Sequence, residues 1–329
     1  MGHATPKHGS SGTMAAGRLI LRRLGSALLT LLLVSVVIFT ISALLPGDAA
    51  EEALGQSATP EAVTALRHQM GLDQPAHLRY VRWLGGLVTG DLGQSLVASM
   101  PVGQVIAGRL PNSLTLAGLT AAVAVPVALA IGILSALYRD TRLDRALNLM
   151  TLGMVAVPEF LVATLAVLVF SVTLRWLPSI TVVRETMGWA ETLRGYAMPV
   201  MTLACVTVAQ MARMTRAAVI DQLSRPYVEM AVLKGQAPTR VVLVHVLPNA
   251  IAPIVNAMAL SLSYLLGGAV IVETIFNYPG IASLMVNAVT SRDMPLLQAC
   301  AMIFCAAYLL LMLAADVCAI LANPRLRGR

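Results

Sequence analysis

LGSALLTLLLVSVVIFTISALL, residues Leu24–Leu45, holds no charged side chain. Wound as a helix at ~1.5 Å per residue, it is long enough to cross a hydrocarbon layer of ~30 Å. Arg18, Arg22 and Arg23 stand before it, as at the start of a secretory signal. The apolar run exceeds a signal's roughly 7–15-residue core and no Ala-x-Ala cleavage site follows, so it reads as a retained anchor. Five further apolar windows follow at Ser113–Leu137, Ala146–Leu174, Ala197–Ala212, Ala250–Val272 and Leu296–Leu321. The short fourth window is expected to continue as a helix into the aqueous loop beyond it.

Composition agrees. The 329 residues are 57% hydrophobic and 12% charged, with a mean hydropathy of +0.78, whereas soluble domains carry roughly 25% charged residues. The expected fold class is an all-α integral membrane protein with about six transmembrane helices, and a soluble enzyme is excluded. The net charge of +7 with only 5% aromatics and no basic stripe does not indicate nucleic-acid binding. Lys and Arg fall unevenly on alternate loops, fifteen against eight, and the acids reinforce the contrast. By the positive-inside rule both termini are cytoplasmic.

This divides the chain into residues 1–13, a polar tail or cloning remnant; 14–45, the anchor; 46–112, an external loop able to hold one or two short surface helices; and 113–329, a core of five helices. The core includes a cytoplasmic loop at about 213–246. Pro6 stands where a myristoylation signal beginning at Gly2 needs Ser or Thr.

Few side chains could carry chemistry. Glu159 and Asp316 lie within apolar windows and Glu273 near the outer end of the fifth, where an ionisable group is costly and is a functional or structural site by default. Pro158 removes a helical donor and bends the chain beside Glu159, so that carboxylate either lines a wet path or bonds a neighbouring helix. Asp316, close to Arg325 and Arg327, is expected to form an interfacial ion pair or a snorkelling contact. Cys205, Cys300, Cys305 and Cys318 lie in apolar windows without a CxxC pair, and the histidines have no metal-ligand spacing. No phosphate-binding loop, HExxH or GxSxG is present, so any ATP hydrolysis falls to another chain. Small residues such as Ala117/Ala121 and Gly267-Gly268 suit close helix packing, and the seventeen methionines read as packing filler.

The loop SRPYVEMAVLKGQAPTRVVLVHVLPNA (Ser224–Ala250) is expected to form a short helix over Tyr227–Lys234, with Gly235 as a left-handed stop. A second helix starts near Pro238. Such a helix either docks in a groove of a soluble partner or lies on lipid as an amphipathic connector. Its Glu229, Ala231, Gly235, Leu247 and Pro248 resemble the EAA loop of ABC importer permeases, departing from it at Met230 and His245. LDQPAHLRYVRWLGGLVTGDLGQSL (Leu72–Leu96), with Gly90, Asp91 and Gly93 at its core, is similar to the external signature of the dipeptide/oligopeptide permeases. ETIFNYPGIASLMVNAVTSRDMP (Glu273–Pro295) and NPRLR (Asn323–Arg327) resemble two further segments of that family.

The resemblance implies half of a translocation pore of the type I ABC importer class, for di- or oligopeptides, in the bacterial plasma membrane. It implies a second related permease, two cytoplasmic ATPases carrying ATP and Mg, and an external solute-binding protein. This chain would bind no cofactor and catalyse nothing. Tyr227–Gly235 would couple to the ATPases, and Gly90, Asp91, Gly93, Glu273, Pro279, Gly280, Arg292 and Asp293 are candidates for external docking. Pro158, Glu159 and Asp316 remain pore or packing candidates. The competing readings are an ion-coupled secondary transporter, an intramembrane enzyme lacking a catalytic pair, and an assembly factor.

Overall fold

The structure of the chain, a computed structural model, describes residues 11–44, 54, 58–69, 71, 73–181 and 188–322. Pro46, Gly47, Leu72, Arg184 and the Asn323–Arg327 motif, with Arg325 and Arg327, lie outside the described residues.

The described chain is helical: α1 Ser11–Leu44, α2 Pro60–Gln69, α3 Ala76–Thr89, α4 Val102–Ala107, α5 Leu110–Leu137, α6 Arg142–Ala156, α7 Glu159–Ala166, α8 Trp189–Leu223, α9 Pro226–Leu233, α10 Pro238–Arg240, α11 Leu247–Ile275, α12 Ile281–Thr290 and α13 Met294–Ala322. Two wider-wound π segments continue it, Val167–Thr173 after α7 and Val241–Val246 between α10 and α11. Among the described residues, α2, α3 and α4 lie between the first two apolar windows, and α4 leads directly into the second span, Val102–Leu137.

Five stretches are long and apolar enough to cross a membrane: Ile20–Leu44, Val102–Leu137, Trp189–Leu223, Pro238–Ile275 and Met294–Ala319. The remaining apolar window is a bent pair, a sixth span only if its two arms count as one. Arg142–Ala156 and Glu159–Thr173 meet at 94° instead of forming one helix over Ala146–Leu174. Pro158 is the cause, since its ring bars the helical conformation from the residue before it. Val157 (φ −87°, ψ 124°) and Pro158 (φ −58°, ψ 140°) are both extended, and two such residues turn the chain.

The 35-residue α8 is the central helix, continuing on both sides of the expected window Ala197–Ala212. It packs chiefly on α5, whose Leu116, Thr120, Ala124, Ala128, Gly132 and Ala136 recur every fourth residue and are all buried. A Cβ on Gly132 would lie 2.6 Å from the Ala212 carbonyl oxygen and 2.7 Å from Thr215 Cβ. Lipid supplies no hydrophobic drive for pairing helices, so such close backbone approach is what holds them. Ala117 and Ala121 are only half-buried, one register away from this seam.

α1 stands at the edge, mostly exposed, and rests on α13. Gln298 donates to Ser42 between them. The short α3 leans on α1: Tyr80 and Ser35 hydroxyls are 2.9 Å apart, and the Phe39 ring lies 5.4 Å from Tyr80 and 5.8 Å from Trp83.

Candidate functional site

At one end of the bundle, α9 sits across the tips of α8 and α11. Pro226 starts it without losing a hydrogen bond, and Glu229 in its first turn suits the positive end of the helix dipole. Gly235 stops it at φ +73°. Its N–H donates to Val232 O at 2.9 Å and that of Gln236 to Ala231 O at 3.3 Å, the paired bonds of a Schellman stop.

Two side chains glue this helix down. Val228 and Ala231 are buried with Val219, Val241, Val246, Ala250 and Ile254, and Leu247 packs against the same cluster. The other face is bare: Tyr227, Met230 and Leu233 are 38%, 54% and 73% exposed, beside Leu243 at 65%. Glu229, Gly235 and Pro248 are exposed too. Tyr227 donates to Gln222 Oε1 at 2.8 Å. His245 Nε2 lies 2.9 Å from Gln236 Oε1, tying the π turn to the residue after the stop. An apolar patch on a rigid, polar-rimmed helix is suited to a protein partner.

Behind α9 lies a cluster that sequence reading missed. Asp144 is buried in the first turn of α6. It accepts from Arg216 of α8 twice, Nε to Oδ1 at 2.9 Å and Nη2 to Oδ2 at 2.8 Å. Ser135 of α5 also donates to it, as do Asn148 Nδ2 at 2.6 Å and the Asp140 N–H at 3.0 Å. Three helices are thereby pinned by one carboxylate. In the sequence both residues counted only as loop charges. The available hint was Thr141, whose hydroxyl accepts from the Asp144 N–H at 3.3 Å and caps α6.

At the opposite end, the turn between α11 and α12 is packed inward. Glu273 is fully buried; its Oε1 accepts from Ser113 at 2.7 Å and its Oε2 from the Ser283 N–H at 2.9 Å. Tyr278 donates to Asn112 O at 2.6 Å and touches the Tyr196 hydroxyl at 3.0 Å. Burial pushes the Tyr278 phenol up, so it stays a donor. Asn112 donates to Pro279 O at 2.8 Å. Gly280 lies against the Glu273 carboxylate, where no side chain fits.

The Gly90–Gly93 turn leads to a contact with the Glu273–Pro295 segment. Gly90 and Gly93 take φ +85° and +82°, and Asp91 Oδ1 accepts from the Gly93 N–H at 3.0 Å. Ser95 then donates to Asp293 Oδ2 at 2.5 Å, and Asp293 Oδ1 accepts from the Leu296 N–H at 3.3 Å, capping α13. Of the expected docking residues, Gly90, Asp91 and Gly93 are exposed and Pro279 and Arg292 partly so. Glu273, Gly280 and Asp293 are buried, and both carboxylates are engaged within the chain. These three lie beneath the surface at this end of the bundle rather than on it.

Between the ends, Pro158 and Glu159 mark the break in the bent pair, with the Glu159 carboxylate against α11 at Gly268. Asp316 pairs with Arg23 of α1, Oδ2 to Nη1 at 3.3 Å. Its partner is thus on the anchor helix, where α1 and α13 run side by side.

The family described as "Binding-protein-dependent transport system inner membrane component" matches residues 128–328, and its N-terminal counterpart matches 16–117. A Brucella abortus protein whose name makes it a permease of a peptide transport system is 36% identical over 312 residues, 94% of this chain and 98% of its own. The glutathione transport system permease protein GsiC of Salmonella paratyphi A is 37% identical over 308 residues, again 94% and 98%. In fold, the chain is similar to a chain of the MetNI methionine ABC transporter in an inward-facing form. The TM-score is 0.54 at 15% identity, covering 67% of this chain and 97% of that one.

Proposed function

The chain belongs to the family of binding-protein-dependent transport system inner membrane components, and from that premise we propose that it forms half of an ABC importer's translocation path for short peptides. As a member of that family it is a multi-pass membrane permease subunit, a transport component rather than an enzyme, whose system includes an ATPase and a substrate-binding protein. The finer assignments that follow are our reading.

A second, related permease supplies the other half of the path. Two cytoplasmic ATPases dock under the pair, and α9 seats in a groove of one of them. The bare face of Tyr227, Met230 and Leu233 over the buried Val228 and Ala231 carries this reading. A lever must be stiff. Gly235 stops the helix at one end, Pro248 opens the next long helix at the other, and the buried pair joins it to α8 and α11. Closure of the ATPases then pushes α9 and tilts the long helices, switching the path between its two openings. ATP and Mg are held by the ATPases.

The α9 end is then cytoplasmic, both termini with it, in the bacterial plasma membrane. The opposite end, with Gly90, Asp91 and Gly93 exposed, receives the solute-binding protein. Peptide is the class named for the Brucella relative, and glutathione, named for GsiC, is itself a short peptide. Mass spectrometry of the complex purified through this chain from native membranes in mild detergent tests the proposal. A second six-helix permease and an ATPase are expected. Recovery of the chain alone, with other importers intact in the same preparation, would refute it in favour of an ion-coupled transporter.

A further inference from the structure

One line of residues runs along α11 outside the bundle: Pro253, Asn256, Leu260, Tyr264, Gly267 and Ile271, three or four apart and so on one face. Asn256 and Tyr264 bracket Ser261, the midpoint of Leu247–Ile275, at ~7.5 and ~4.5 Å along the axis for ~1.5 Å per residue. Both lie within a hydrocarbon depth of ~30 Å. Tyr264 is 56% exposed, and among the described residues neither its phenol nor the Asn256 amide has a hydrogen-bond partner.

Glu159 adjoins this line. A Cβ on Gly268 would fall 2.5 Å from its Oε1 and 2.8 Å from its Oε2, so the carboxylate rests on bare α11 backbone next to Gly267. It is half-exposed, and no cation or donor among the described residues meets it. An amide, a phenol and a carboxylate left open at this depth do not suit lipid; such groups face water-filled paths or another protein. A carboxylate with no countercharge beside it among the described residues suits a cation that passes rather than one that stays.

We propose that Glu159, Asn256 and Tyr264 line the translocation path, and that Glu159 transiently accepts the protonated amine of the passing solute. This rests on the importer reading above. The test is cysteine labelling in the ATPase-containing complex, with Cys205, Cys300, Cys305 and Cys318 first replaced by Ala. Asn256→Cys and Tyr264→Cys are treated with a cationic and an anionic methanethiosulfonate, with and without Glu159→Gln. Leu33→Cys on the lipid-facing α1 serves as the control, since a thiol in lipid does not ionise and reacts only as thiolate.

The expected result is labelling at both positions but not at Leu33→Cys. The cationic reagent is favoured, and Glu159→Gln lowers that preference by about tenfold. Protection of both positions in the assembled complex would overturn the proposal and make this face a contact with the second permease. Labelling indifferent to reagent charge and to Glu159 would overturn the role of the carboxylate. Failure of the importer reading is separately visible, because the complex itself would not co-purify.

Discussion

Replacing Gly235 tests whether α9 needs its left-handed stop. The backbone there holds φ +73°, while a Cβ would meet no heavy atom within 4 Å. A side chain therefore has room, and only the backbone penalty acts. For an L-residue that penalty is about 1–2 kcal/mol, or roughly a 5- to 30-fold loss of the native stop at 1.4 kcal/mol per tenfold. Asn adopts the left-handed region more readily than other residues, and Val tolerates it worst. Expected coupling therefore falls in the order Gly, Asn, Ala, Val. The assay is ATP hydrolysed per solute imported by the reconstituted complex, with the yield of co-purified ATPase as a second readout. Wild-type coupling in Gly235→Val, with Gly235→Asn no better, would refute the need for the stop. Equal losses in Asn and Val would point to the missing hydrogen as a contact rather than to the backbone angle.

Three further perturbations follow from packing and charge. Gly132→Val should prevent close approach of α5 to α8, because its Cβ would start 2.6 Å from the Ala212 oxygen; fluorescence size-exclusion chromatography should show loss of the monodisperse peak. Gly118→Val on the same helix, with nothing within 4 Å, should be silent. Arg216→Met should cost about 3 kcal/mol by stranding the buried Asp144, toward the lower end for such pairs because a quarter of the Arg216 side chain is exposed. Adding Asp144→Asn should restore most of the thermal stability, and no recovery in the double variant would show that the pair is not coupled. Gly280→Ala should displace the Glu273 carboxylate from Ser113 and the Ser283 N–H and destabilise the turn between α11 and α12 by about 2 kcal/mol, seen as earlier proteolysis there. Glu273→Gln, which keeps the shape, should be much milder.

The long apolar windows were legible because a bilayer imposes a length, and length is read along the chain. Leu24–Leu45 and Ser113–Leu137 each predicted a helix, and α1 and α5 lie there. The stop at Gly235 was legible for a similar reason, since the demand for a left-handed residue is local. The break at Pro158 was legible as a bend but not as a turn of 94°, which also needed Val157 to become extended. Glu273 and Asp293 were expected among the external docking residues because of the family resemblance of their segment. Glu273 and Asp293 instead lie inside, since donors from Ser113, 160 residues away, and Ser95, 198 away, fold over them.

By itself, then, the sequence determined that the chain is a helical membrane protein, where its apolar windows lie and that the loop helix stops at Gly235, since each depends on a few neighbouring residues and the solvent around them. Only the tertiary structure decided which polar groups are paired and which stay open. Asp144 and Arg216 look like ordinary loop charges until α6 and α8 meet, and Asn256 and Tyr264 look like ordinary span residues until the other faces of α11 are covered. Burial of a polar group is settled by what arrives from distant parts of the chain, and that depends on helix register and crossing, not on spacing along a line.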